Sequence, residues 1–202
     1  MRGRVPPAVA DALVIAAWVL LAADSAWHAW RERGRRADLG PSVARGWQPP
    51  VPLRILWLAA TLAGVLLLER RAGRFDVHPA LATVGAALLA GGLVLHHRAR
   101  RALGPYWSPT VTVQRAHAVV ERGPYGVVRH PIALAVILLA IGTLLAHPSI
   151  ATACLAVGLT AGLGLRIRLE ERMLRRTLGA DYERYAARVP AIVPRLSRDT
   201  RR

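Results

Sequence analysis

Five apolar runs divide the 202-residue chain, at about residues 8–30, 51–68, 79–97, 131–147 and 149–165. A helix needs about 20 predominantly apolar residues to cross a bilayer, with about 17 the lower limit. The first three runs reach that length. The last two stand near the limit, and Pro148 between His147 and Ser149 makes them a tight hairpin rather than one long helix. The pattern predicts an all-α integral membrane protein with five transmembrane helices.

The third run is rich in small residues, among them Gly85, Ala86, Ala87, Ala90, Gly91 and Gly92. Small side chains let membrane helices approach closely, so this helix is expected at the centre of the bundle. Between the third and fourth runs lies the longest polar connection, residues 98–130, which mixes turn-rich and short β-prone pieces. It is expected to be an ordered cap over a pocket. Residues 166–178 read as an amphipathic continuation of the fifth run, with Leu165, Leu169 and Met173 toward one face. Gly179 ends that helix, and Tyr182 and Tyr185 follow on a further short one. The resulting division is 1–97 for three transmembrane helices with a scaffold or substrate role, 98–196 for the cap, hairpin and C-terminal helices, and 197–202 for a disordered tail.

Charge sets the orientation and removes one class of function. The net charge is +16, and all 28 basic residues are arginine. With the connection after the first run inside, 23 arginines lie on the cytoplasmic side and five outside. The positive-inside rule then places the N-terminus outside and the C-terminus, with the cap, in the cytoplasm. No separate basic domain with interleaved aromatics is present, so nucleic acid is not expected as a partner. The absence of lysine points to a GC-rich genome and a bacterial inner membrane. The first run ends in Asp24 and Trp27 without a small-residue cleavage pattern, so it is read as a helix and not a cleaved signal. Cys154, the single cysteine, is expected to pack in the core. No metal site is expected: there is no Cys/His cluster of zinc spacing, and the adjacent His96 and His97 face different directions on a helix.

The candidate chemistry gathers around Gly123-Pro124-Tyr125-Gly126-Val127-Val128-Arg129-His130-Pro131. Proline suits the first helical position, so Pro131 opens the fourth helix with Arg129 and His130 at its positive end, a place suited to an anion. Beyond the hairpin, Arg166 and Glu170 are four residues apart, as are Glu171 and Arg175, so each pair shares a helix face. On spacing alone these are solvated ion pairs worth less than about 1 kcal/mol. Asp24 lies about two turns from Arg31 and beside Trp27 and Trp30, and is assigned to the membrane interface.

Taken in order, Leu103-Gly104, Trp107-Ser108, His117 with Val119-Val120, Gly123-Pro124-Tyr125, Val128-Arg129-His130-Pro131, the hairpin, Arg166, Glu170-Glu171, Gly179, Tyr182, Tyr185 and Val189-Pro190 form a series. It resembles the isoprenylcysteine carboxyl methyltransferases and their prokaryotic relatives, which share this region with phospholipid methyltransferases. The resemblance covers about residues 98–196 and implies an integral membrane enzyme that uses S-adenosylmethionine and releases S-adenosylhomocysteine. By position it implies that His117, Val119, Val120, Tyr125, His130, Pro131, Ile132 and Ala133 line the cofactor pocket. It further implies that Glu170 holds the cofactor ammonium group and Arg166 faces the substrate. Ala133 and Ala135 stand where the family usually has Tyr and Gly, so the resemblance bears on the cofactor fold more than on prenylcysteine as acceptor.

The residues fit that chemistry in their own right. A carboxylate suits an ammonium, the helix start at Arg129 and Pro131 suits a carboxylate, and Tyr125 offers an aromatic face. Methyl transfer to an already ionised carboxylate needs no strong base, only alignment and desolvation. The expected acceptor is a lipophilic carboxylate. A lipid amine or a thiol is the alternative, and an amine would need a base such as His130 or Glu171. A small transporter or scaffold is the alternative outside enzymes, but the chain has no internal repeat.

Overall fold

A computed structural model describes residues 6–32, 34–35, 42–45, 77–107, 112–114 and 119–194. It contains five long helices or helical segments: α1 (Pro7–Arg31), α2 (Pro79–Leu103), α3 (Pro131–Ala146), α4 (Ile150–Leu178) and α5 (Ala180–Arg188). Two short strands, β1 (Ser42–Arg45) and β2 (Thr112–Gln114), pair antiparallel. β2 falls within one of the β-prone pieces of the cap. The predicted run at 51–68 and the tail at 197–202 lie outside the described residues.

Among the described residues, three helices are long and apolar enough to cross a membrane, those beginning at Ala8, Pro79 and Ile150. The fourth apolar helix, α3, has only 16 residues and spans about 24 Å at 1.5 Å per residue. Prolines at the first turn start α1, α2 and α3. Between α3 and α4 the chain reverses at His147 and Pro148. A capping box then starts α4: the Ser149 hydroxyl accepts from Thr152 N–H at 3.1 Å, and Thr152 Oγ1 accepts from Ser149 N–H at 3.0 Å. α4 runs unbroken through the amphipathic stretch to Leu178, and Gly179 ends it at φ 53°, in the left-handed region that favours glycine.

α2 lies against α3 along an antiparallel seam built from missing side chains. A Cβ on Gly85 would stand 2.7 Å from Ala146 N and 2.8 Å from Gly142 O. Further along, a Cβ on Gly92 would stand 2.9 Å from Leu139 Cγ and 3.0 Å from Ala135 O. The small residues thus do place this helix at the centre of the described bundle. α1 closes over the seam: Ala17 joins Leu89, Leu139 and Ala146 in the core, and Trp18 donates to Thr143 Oγ1 at 3.0 Å. At one end of α1, His147 meets Asp11 at 2.6 Å; at the other, Asp24 meets His96 at 2.8 Å and His97 at 2.7 Å. Asp24, expected at the membrane interface, is thus tied to α2. Trp27 and Trp30 beside it are exposed and in ring contact, as a membrane-facing pair would be. Cys154 departs from expectation: it is exposed on α4, because it lies on the face of the helix turned away from buried Thr152 and Ala156.

Candidate functional site

The segment before α3 is held in place by one carboxylate. Arg129 Nε and Nη2 donate to Glu171 Oε1 at 2.9 and 2.5 Å. Its Nη1 donates to the carbonyls of Ala186 at 3.0 Å and Val189 at 2.5 Å. His130 Nε2 lies 3.2 Å from the same Glu171 oxygen. The main chain completes the clasp, with Arg129 N–H donating to Pro190 O at 2.8 Å and His130 N–H to Ala191 O at 3.0 Å. Both side chains are largely buried, and Glu171 is little more exposed. Charged hydrogen bonds of this kind are worth about 1.5–3 kcal/mol each where water is excluded.

The aromatic residues dock the C-terminal helix on the same clasp. Gly123, at φ 62°, turns the chain into a short 3-10 helix, Gly123–Gly126. That turn buries Tyr125, whose carbonyl accepts from the Tyr185 hydroxyl at 2.7 Å. Tyr182, Tyr185 and Val189 form a small core against which Val119 packs. Burial and the nearby Glu170 carboxylate push the Tyr125 phenol far above its ordinary range, and burial pushes Tyr185 up to about 12. Both phenols stay neutral hydrogen-bonding groups at any physiological pH.

The expected site residues separate into two sets. Tyr125, Arg129, His130 and Pro131 are brought together with Glu171, and Pro131 and Ala133 are buried with only Ile132 partly open between them. Val119 and Val120 are half-buried on the approach, and His117 lies outside the described residues. Among the described contacts Glu170 makes none with Arg129 or His130; it is half-exposed, near enough to Tyr125 to act on its phenol, with Arg166 Nε 3.9 Å from its Oε2. That separation is long for an ion pair, so the carboxylate keeps hydrogen-bonding capacity. Arg129 is expected to face an anion. The anion its guanidinium meets in this structure is Glu171 of the chain itself, together with two carbonyls, and these contacts tie down the segment that carries His130.

Two contributors were not singled out by spacing. Glu171 is the keystone of the clasp, although in the sequence it reads as half of a surface pair with Arg175, which it does contact at 3.6 Å. Arg100, 1% exposed near the end of α2, lies with its guanidinium 3.6 Å from the centre of the Trp107 ring and donates to Ser25 O at 3.3 Å. The signal for Arg100 was a charge inside the Arg98-Ala99-Arg100-Arg101 cluster, indistinguishable there from its solvated neighbours.

The family profile of the phospholipid methyltransferases matches residues 81–181, from the start of α2 to the start of α5. The chain belongs to the phospholipid methyltransferase family. The matched span holds the seam, the Gly-Pro-Tyr and Arg-His-Pro elements and both glutamates, while Tyr182, Tyr185 and the Val189–Ala191 side of the clasp lie just beyond it. A sequence comparison with curated proteins finds no match. Among solved structures, the eukaryotic intramembrane Ras methyltransferase ICMT (isoprenylcysteine carboxyl methyltransferase) is similar, with a TM-score of 0.54 at 22% identity over 73% of this chain. The chain covers 54% of that protein, about half its length. The shared fold bears out the resemblance to this group of membrane methyltransferases and the all-α membrane architecture.

Proposed function

We propose that this family member transfers a methyl group from S-adenosylmethionine to a lipophilic acceptor at the membrane surface, with a carboxylate as the acceptor group. The observation that carries the reading is the Arg129–Glu171–His130 clasp, which fixes a buried Tyr125 and the start of α3 beside a second carboxylate, Glu170, that is left half-exposed. These residues suit the cofactor. Glu170 is a carboxylate with spare acceptors for an ammonium. His130 gives α3 no side-chain cap, so first-turn N–H groups remain to meet a carboxylate. The cofactor would supply an electrophilic methyl on a sulfonium. Glu170 holds its ammonium end, Tyr125, Val119 and Val120 border it, and Ile132 and Ala133 close the helix side.

Arg166 lies one turn before Glu170 on α4, at the level where an acceptor carboxylate would meet the methyl group. Its planar fork can hold that carboxylate bidentately and aim one oxygen. The acceptor tail then lies against the helices of residues 1–97, and the cofactor against residues 98–196, on the cytoplasmic face of a bacterial inner membrane. No general base is required, because the nucleophile is already ionised near pH 7.

Family membership favours one second reading, methylation of a phospholipid amine. It asks more of the residues. An ammonium must lose a proton, and the nearest carboxylate to His130 is already bound to Arg129. Radiolabelled S-adenosylmethionine, purified protein, and either extracted lipids or prenylcysteine analogues test both readings. A labelled product that releases volatile methanol in alkali is the ester expected here. A base-stable labelled lipid would replace it with the amine reading, and no transfer to any lipid would remove both.

A further inference from the structure

A second polar cluster lies apart from the clasp, between α1 and α2. Asp24 and His28 are four residues apart on one face of α1, with His28 Nε2 3.5 Å from Asp24 Oδ1. From α2, His97 Nδ1 reaches the same Oδ1 at 2.7 Å, and His96 Nδ1 reaches Oδ2 at 2.8 Å. One ligand atom each from Asp24, His28 and His97 can be chosen with all of them within 4.8 Å of one another. The arrangement sits at the same end of the bundle as the clasp: Arg122, just before the Gly123 turn, donates to Ala102 O at 3.0 Å, one turn and a half beyond His97.

We infer that Asp24, His28 and His97 form a binding site for a divalent transition metal of the zinc class. Two observations point to a ligand independently of the clustering. His28 is 2% exposed, yet its Nε2 makes no hydrogen bond, and that atom faces Asp24. A buried imidazole nitrogen without a partner is costly, and a metal ion would satisfy it. The donor set is also chemically specific. Two imidazole nitrogens and one carboxylate oxygen suit zinc and its first-row neighbours, whereas calcium and magnesium take oxygen ligands.

The three ligand atoms, within 4.8 Å of one another, would close on the ion by movement of the His97 ring. Donors in a tetrahedral zinc site stand about 3.3 Å apart for bonds of about 2.0–2.1 Å. The His28–Asp24 separation already meets this. The His97 ring must withdraw by roughly half an ångström on that same bond-length basis, and its side chain is 47% exposed, so it has room to do so. The fourth position would open on the side of His97, toward solvent. His96 is the orienting partner: it holds the second oxygen of Asp24, and its Nε2 lies 3.4 Å from Ser25 Oγ. Arg100 lies close by on α2, with its guanidinium over the Trp107 ring and donating to Ser25 O. Sequence spacing argued against a metal here, because it considered His96 and His97 as the ligand pair. The structure instead pairs His97 with a helical Asp-x-x-x-His from another helix. The bound ion would staple α1 to the α2–α3 unit.

The test uses the full chain in detergent micelles, stripped with a chelator and titrated with zinc ion alone, with cobalt(II) as a spectroscopic substitute. One equivalent should bind with a dissociation constant in the micromolar range or below, and zinc should raise the thermal unfolding midpoint by mass action. Cobalt should give visible absorption of tetrahedral intensity. His28→Gln and His97→Gln should each abolish the cobalt band, and His96→Gln should weaken binding by roughly tenfold to a hundredfold. His97 is half-exposed, so its variant stays folded and keeps the test decisive. His78→Gln, at the N-cap of α2 at the other end, should leave zinc and cobalt binding unchanged. Binding that saturates at no defined stoichiometry, or that survives His28→Gln with His97→Gln together, overturns the proposal.

Discussion

The α2–α3 seam and the Arg129–Glu171 clasp are joined at Pro131, yet they are built on opposite principles. The seam has no charge and almost no side chains. Its stability comes from backbone brought so close that even a methyl group has no room at Gly85, Gly92 or Gly142. The clasp is made of long charged side chains, each satisfied by several partners from distant parts of the chain. The seam tolerates no addition, and the clasp tolerates no subtraction. The first joins two apolar helices closely, and the second fixes the polar segment before α3 to α4 and to the segment after α5. The function proposed above, a polar cofactor set against a lipophilic acceptor, would draw on both.

The largest effect expected follows from filling the seam. In Gly142→Leu the new Cβ alone would stand 2.8 Å from Gly85 O and 3.0 Å from Leu89 N, both backbone atoms that cannot yield. Overpacking of this kind costs about 1–3 kcal/mol in adaptable cores and more where backbone is struck. Size-exclusion chromatography in detergent should show loss of the monodisperse species, whereas Gly91→Ala, with nothing within 4 Å, should leave it unchanged. A monodisperse Gly142→Leu chain would mean that the seam is looser than described.

Removing charge from the clasp comes next. Glu171→Gln keeps the side-chain volume and leaves the Arg129 guanidinium without a counter-ion. A fully buried pair broken in this way costs about 3–5 kcal/mol; with Glu171 17% exposed, about 2–3 kcal/mol is expected. Thermal unfolding should shift down by about 5–10 °C for a chain of this size. A shift below about 1 °C on the same scale would reduce the clasp to a surface pair.

Arg166→Ala should leave stability and cofactor affinity within about twofold while lowering the methyl-transfer rate by roughly tenfold to a hundredfold, the loss of about 1.5–3 kcal/mol of charged hydrogen bonding to an acceptor. Arg166→Lys should recover only part of the rate. A variant that loses cofactor binding would assign the arginine to the cofactor, and one that loses nothing would leave its contact with Glu170 a surface ion pair.

The same contrast explains what could be read from the sequence. The seam was legible, because small residues clustered in an apolar run have few other uses, and Pro148 announced the hairpin. The helix continuing to Leu178 and stopping at Gly179 was legible from periodicity and a glycine. The members of the clasp were visible one by one, but not which carboxylate Arg129 would take. Glu170 and Glu171 are adjacent, both lie four residues from an arginine, and only the packing of α4 against the Arg-His-Pro segment separates them. The histidines at 96 and 97 were misleading for a similar reason. Spacing within one helix says nothing of a carboxylate supplied by another.

That division between the two glutamates is the central claim: Glu171 holds the protein together, and Glu170 is kept for the cofactor. Calorimetric titration of S-adenosylmethionine into the solubilised wild-type chain and Glu170→Gln tests it directly. Saturable binding of one equivalent is expected for the wild type. In a Glu170→Gln chain of unchanged unfolding midpoint, the affinity should be at least about tenfold weaker, as the loss of about 1.5 kcal/mol or more requires. Equal affinity in the two chains, or no saturable binding in either, would contradict the claim.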